Sequence, residues 1–225
     1  MISVVIPALN ESRALPQTLT HLFRQSGDFE AILVDGGSND NTVAMAKVWP
    51  QLRVLSCEPG RAVQMNAGAA AASGKLLMFL HADTRLPGGA IEQLNRLERD
   101  PQVQWGGFHQ RFSGDSWALR MISRIHNLRC RLTNIFYGDQ VMFVRRELFE
   151  SLRGFAVELE LEDIRLSERL GKVAEPTFLA DTVTTDSRKF EQMGPLRSLA
   201  RCVLILLCYE LRLPLAGRRF FTPIR

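Results

Sequence analysis

Three apolar runs in the first half of the chain each end in a polar, acid-bearing segment. Ser3–Ile6 leads into PALNES, with Asn10 and Glu11. Ala31–Val34 leads into DGGSND, headed by Asp35, and Leu76–Leu80 leads into HADT, with His81 and Asp83. In a parallel α/β sheet, ligands bind outside the carboxyl ends of the strands. That rule puts all three loops on one rim. A carboxylate there can hold a nucleobase, a ribose hydroxyl or a metal ion.

The elements that must position these residues are legible from periodicity. A helical stripe carries Leu15, Leu19, Leu22 and Ser26, with Phe23 beside it. Asn39, Asp40 or Asn41 can cap a second helix that continues through Ala44, Val48 and Trp49. Arg53–Leu55 reads as a third strand and Ala62–Ala72 as an alanine-rich helix ended by Gly74; Pro87 starts another helix, reaching about Arg99. Continuous apolar strands alternating with helices imply a mostly parallel central sheet, buried on both faces and flanked by helices. The fold class is α/β.

The second half is less regular. It offers a strand at Gln104–Phe112, a helix at Trp117–Leu132, a strand at Val141–Val144 and a small helix to Leu152. A helix at Asp163–Leu170, a strand or extended chain at Val173–Leu179 and a final helix at Leu196–Leu211, stopped by Pro214, complete the reading.

At 225 residues, 46% hydrophobic and 23% charged, the chain suits one globular domain with a small appendage. Cys57, Cys130, Cys202 and Cys208 form no C-x-x-C pair and read as reduced thiols, which points to the cytoplasm. The first residues lack the pattern of a signal peptide and read directly as a core strand. A net charge of +4 suggests an anionic partner without choosing one. From Arg188 to Arg225 there are eight basic and two acidic residues, around the apolar run CVLILLCY. Such a helix can bury in the core, pair with a second copy in a homodimer, or lie on a membrane surface.

VVIPALNE, VDGGSNDNT and FLHADT resemble the nucleotide-binding half of glycosyltransferase family 2, whose fold is GT-A, a Rossmann-like nucleotide-diphospho-sugar transferase fold. GRAVQMNAGAAAASG, HADT, YGDQ and LEDIRLSERL resemble, more narrowly, the radical-SAM/selenodomain-associated transferase 2 subgroup. The resemblance implies a GT-A domain over 1–194, with a nucleotide-binding half at 1–100 and an acceptor half at 101–194; 195–225 is a basic, partly apolar helix and tail. It implies glycosyl transfer from a UDP- or GDP-sugar to an acceptor hydroxyl, inverting and dependent on Mn²⁺ or Mg²⁺. The acceptor is unnamed; a lipid-linked one would suit a peripheral position on the inner face of the membrane.

Residue roles follow from the same resemblance. Asp35 matches the acid that bonds the base, and Pro7, Ala8, Asn10 and Glu11 match the loop lining the nucleoside. Gly36 and Gly37 would let backbone approach the ligand closely. Arg61 and Asn66 match residues near the base, ribose or diphosphate, and Arg61 could pair bidentately with phosphate. Asp83 matches the last acid of the family's D-x-D motif and is the metal candidate; His81 and Ala82 occupy the other two positions, so one carboxylate ligand remains. His81 either ligates the metal, bonds the ribose or packs at the strand end. Asp163 matches the catalytic base, with Glu162 beside it, and also stands where a helix N-cap is expected. Gly138, Asp139 and Gln140 resemble the subgroup's acceptor-side motif, or form a plain turn. Arg188 and Lys189 resemble a basic segment over the diphosphate, or a solvated face. Trp105, Phe108 and His109 line a pocket or fill the core.

Other chemistries lack their residues. No G-x-G-x-x-G follows the first strand, which excludes a nicotinamide-dependent oxidoreductase, and no P-loop pattern is present. The basic residues lack interleaved stacking aromatics, so nucleic acid is not an expected partner. The alternative of another class is a non-catalytic sugar-nucleotide or lipid-binding protein of the same fold.

Overall fold

In the computed structural model, the alternating pattern of the first half folds as a parallel sheet with helices on both faces. The structure describes residues 1–157 and 161–194, together with 197, 200 and 204. β1 (Ile2–Ala8), β2 (Phe29–Asp35), β3 (Leu52–Ser56) and β4 (Leu76–Phe79) pair in parallel in the order β3-β2-β1-β4. Every residue of β1 and β4 is buried, as expected for strands covered on both sides. Ile2, Val4 and Ile6 face α1 (Leu15–Phe23), α2 (Thr42–Ala46) and α4 (Ala90–Glu98). Val5 faces the opposite way, against α3 (Arg61–Ala71). A β-carbon at Gly68 would collide with Val5, so glycine there sets how closely α3 approaches the sheet.

The sheet continues past β4 by a different rule. β7 (Phe143–Arg145) pairs antiparallel with β4, and β6 (Trp105–Phe112) pairs antiparallel with β7. β8 (Thr177–Thr185) runs parallel to β6, and the two-residue β5 (Thr84–Arg85) closes the far edge antiparallel to β8. The eight-stranded sheet is therefore parallel in its first half and mixed in its second. α5 (Trp117–Thr133) lies over β6; α6 (Arg146–Ser151), α7 (Glu162–Gly171) and α8 (Arg188–Met193) follow.

Several boundaries differ from the sequence reading. α2 stops at Ala46, so Val48 stands 75% exposed, and Trp49 leaves the helix to stack on Phe23 at 5.0 Å. α4 starts at Ala90, not Pro87, because Gly88 and a left-handed Gly89 (φ 77°) intervene. The extended segment expected at Val173–Leu179 begins only at Thr177 and runs on to Thr185. Trp105 and Phe108 are core; the Trp105 Nε1–H donates to the Ala174 carbonyl at 2.7 Å. The expected helix at Leu196–Leu211, Cys202, Cys208 and the tail to Arg225 lie outside the described residues, apart from isolated positions. Among the described residues, no helix is long and apolar enough to cross a membrane, and Cys57 and Cys130 are free thiols.

Candidate active site

Parallel pairing places the ends of β1, β2 and β4 along one edge, and polar contacts stitch the loops that follow. Gly36 N–H donates to the Ala8 carbonyl at 2.9 Å. The same carbonyl accepts from the Gln64 amide at 2.8 Å, and the Val34 carbonyl accepts from it at 2.9 Å. Gln64 is a buried strut from α3 under the rim, packed where a β-carbon at Gly36 would lie. Pro7 and Ala8 are the last, buried residues of β1. Asp35 Oδ2 accepts from the Gly37 and Ser38 N–H groups, both at 3.0 Å, while Oδ1 is buried with no partner among the described residues. Asn10, left-handed at φ 57°, accepts from Asn39 N–H at 2.9 Å, and its own N–H donates to Ser38 Oγ at 2.9 Å. Asp40 binds the two loops together through Thr42 and Ser12. Burial pushes its carboxyl up, but these hydrogen bonds outweigh that and hold it down at about 2.

The third loop is pinned from both sides. Thr18 Oγ1 donates to the Ala82 carbonyl at 2.8 Å, and Asp186 N–H to the Asp83 carbonyl at 2.9 Å. The His81 ring fills the space over Gly138, where any β-carbon would strike it. Gly138 N–H in turn donates to Asp163 Oδ2 at 2.7 Å, and Asp163 Oδ1 accepts from Ile164 N–H at 2.9 Å. Asp163 is the second residue of α7, not its cap; the N-cap is Leu161, at φ 62°. Both carboxylate oxygens of Asp163 are thus oriented, and the side chain is almost buried. Burial, and then the charge of Arg61, push the His81 imidazole below its ordinary range, against the opposing pull of Asp83, Asp139 and Asp163.

Two ion pairs cross between the halves. Arg61, at the start of α3, pairs with Glu162, at the start of α7. Burial would favour the neutral guanidine, but Glu162 and Asp163 outweigh it and raise the Arg61 pKa. Burial pushes Glu162 up, yet Arg61 leaves it below its ordinary value. Arg188 pairs with Glu11 and carries a raised pKa because that carboxylate outweighs the cost of burial. Arg61 and Arg188 are therefore held by carboxylates of the chain itself.

Some expected site residues are used differently. The Asn66 amide donates to the Phe155 carbonyl at 2.8 Å and accepts from Phe155 N–H at 2.9 Å, which spends it on tying α3 to the loop after α6. Gly138–Gln140 forms a 3₁₀ turn closed by Gln140 Oε1, which accepts from Tyr137 N–H at 3.1 Å. Asp139 faces His126 of α5 at 3.4 Å; burial raises its carboxyl, and His126, followed by His81 and Arg129, brings it below the ordinary value. Arg129 lies 3.6 Å above the Tyr137 ring. His109 contacts Arg131 at 3.1 Å on the outer side of β6.

Sequence reasoning passed over Gln64, His126 and Arg129. Their signals were present: a glutamine on the apolar stripe of an alanine-rich helix, and two basic residues three apart on one helix face.

Asp83 offers oxygen ligation, the chemistry Mn²⁺ and Mg²⁺ favour. Among the described residues, no three His, Cys, Asp or Glu side chains lie together to hold an ion. Among the described residues, Asp83 is therefore not part of a cluster of three such side chains. Contacts thus link the loop of His81 and Asp83 through Gly138 to the oriented carboxylate of Asp163, and Arg61 and Arg188 bridge the two halves.

A profile of glycosyl transferase family 2 matches residues 3–153. The chain belongs to that family. Its sequence is similar to a PGL/p-HBAD biosynthesis glycosyltransferase of Mycobacterium bovis, 42% identical over 93 residues, 38% of this chain and 36% of the relative. It is also similar to the undecaprenyl-phosphate 4-deoxy-4-formamido-L-arabinose transferase of Proteus mirabilis, 30% identical over 158 residues, 64% of this chain and 48% of the relative. The chain spans less than half the length of these two relatives. The GT-A fold agrees with the structure of Staphylococcus aureus TarS 1-349 in complex with UDP, at TM-score 0.67 and 17% identity over 82% of this chain and 60% of that one. It agrees too with the mannosyltransferase PcManGT from Pyrobaculum calidifontis in complex with GDP-Man and Mn²⁺, at TM-score 0.60 and 22% identity over 81% of this chain and 56% of that one.

Proposed function

We propose that the chain moves a glycosyl group from a nucleoside diphosphate sugar to an acceptor hydroxyl, inverting the anomeric centre. The observation that carries this reading is the contact of Gly138 with both His81 and Asp163, which joins the donor-side loops to a fixed carboxylate. Asp35 receives the base: its buried, unpartnered Oδ1 is an acceptor suited to a ring N–H. The backbone at Gly36 and Gly37, with Asn10 and Glu11, flanks the nucleoside.

Asp83 would hold a divalent cation together with the donor's diphosphate oxygens; bound there, Mn²⁺ or Mg²⁺ supplies positive charge to the leaving group. Arg188 and Arg61 face the same diphosphate when released from Glu11 and Glu162. Asp163, held by Gly138 and Ile164 N–H groups, takes the proton of the attacking hydroxyl. A single displacement needs no covalent intermediate on the enzyme.

The UDP and GDP-Man of the structural neighbours support a UDP- or GDP-sugar donor. The undecaprenyl phosphate named for the Proteus mirabilis relative supports a lipid-linked acceptor, met at the inner face of the membrane. A lipid phosphate would arrive ionised and need no base, so an Asp163→Asn variant separates that acceptor from a hydroxyl.

The test is thermal stability with UDP- and GDP-sugars, with and without Mn²⁺, followed by assay of nucleotide release. Ligand-induced stabilisation follows mass action. The expected result is stabilisation by one donor, enhanced by Mn²⁺ and diminished in Asp83→Ala, with release that depends on acceptor. Stabilisation with no turnover on any acceptor class would favour a non-catalytic binder.

A further inference from the structure

α5 presents an apolar stripe to solvent on the acceptor half. Trp117 is 69%, Ile125 50%, Leu128 58% and Leu132 77% exposed, and half-buried Met121 lies among them. At about 100° per residue these five side chains fall within a sector of about 80°. Arg120, Arg124 and Arg131, all exposed, form a row along one edge of that sector. The opposite side of the helix, with Leu119, Ser123 and Cys130, is buried over β6. α5 contains four arginines and no acid. An apolar stripe beside a basic row is the pattern of a helix lying in a membrane interface.

We propose that the outer face of α5 is a docking surface for an anionic lipid bilayer. Charge selects this occupant. Two copies packed through this face would bring six exposed arginines together with no acid on either helix to offset them. The segment from Arg188 onward, with eight basic and two acidic residues, offers the row little countercharge. Anionic headgroups neutralise the row while the stripe enters the acyl boundary. α5 also sends His126 and Arg129 inward to Asp139 and Tyr137 beside the candidate site. Docking through α5 therefore sets that site at a fixed height above the lipid. Membrane docking itself does not rest on glycosyl transfer.

The test is co-sedimentation of the full chain with vesicles of equal parts phosphatidylglycerol and phosphatidylcholine, against phosphatidylcholine alone, without nucleotide. Binding to the anionic vesicles, weakened by salt, with a blue shift of tryptophan emission, is expected. Trp117→Phe must erase most of that shift, since Trp49 and Trp105 are elsewhere. Leu128→Ser/Leu132→Ser should reduce partitioning about tenfold or more, and Arg120→Gln/Arg124→Gln should reduce it for anionic vesicles alone. These positions are exposed, and an unchanged melting temperature would check that the variants fold. Wild-type binding by both double variants with no Trp117 shift would move the contact to the tail and overturn the proposal. So would equal binding to neutral vesicles, no binding, or a dimer in sedimentation velocity that Leu128→Ser/Leu132→Ser abolishes. None of these outcomes bears on nucleotide binding, which the donor screen reads separately.

Discussion

The parallel and mixed halves of the sheet bring groups to the rim by different means. In β1 to β4, strand direction alone delivers Asn10, Asp35 and Asp83 to one edge, and the local stitching through Asp40 and Gln64 only refines their loops. In the mixed half no common strand direction exists. Gly138, Asp163 and Arg188 reach the rim because individual contacts hold them there: Gly138 N–H on Asp163, Asp186 N–H on the Asp83 carbonyl, and the pairs Arg61–Glu162 and Arg188–Glu11. A damaged parallel half should therefore lose stability first. A damaged mixed half should lose function while the fold persists.

The largest effect is expected at Asp163. Asp163→Asn should lower turnover about a thousandfold, the scale of a general base, while calorimetry still detects nucleotide. Near-normal turnover would remove Asp163 from that role.

A pair of glycine substitutions sharpens the comparison directly. Gly138→Ala forces the His81 ring or the 3₁₀ turn to move, and a displacement of that size should cost about a hundredfold in turnover. Gly68→Ala presses α3 away from Val5 and should cost about 1–3 kcal/mol of stability by chemical denaturation. The specific activity of the folded Gly68→Ala protein should change little. Equal activity losses in both would erase the distinction between the halves.

Arg61→Met is the smallest of these effects. It leaves Glu162, 9% exposed, without its partner, but Arg61 is itself 47% exposed and the lost attraction is partly screened. About 1–2 kcal/mol is expected. The sign with pH follows from the depressed Glu162 value. The pair contributes fully above 4.5, the ordinary carboxyl value, and its contribution is lost as pH falls through the lower folded value. Stability of the native protein should therefore fall in acid more steeply than that of Arg61→Met once the pH drops below 4.5, read from melting curves carried from neutral pH to well below 4.5.

The sequence alone determined the first half nearly completely. Continuous apolar strands, helical stripes and acid-bearing loops obey local rules, so β1 to β4 and the rim at Asp35 and Asp83 were readable without coordinates. Its misses there were boundaries set by neighbours: Trp49 left α2 for Phe23, and Gly88 with Gly89 delayed α4. Tertiary structure decided the rest. No periodicity specifies that β7 runs against β4, or that β5 closes on β8. Nor does spacing say that Asn66 is spent on Phe155, that His126 meets Asp139, or that Arg61 and Arg188 already hold carboxylates. Such contacts join residues far apart in the chain, and their partners are chosen by the packing of whole elements, which no local pattern encodes.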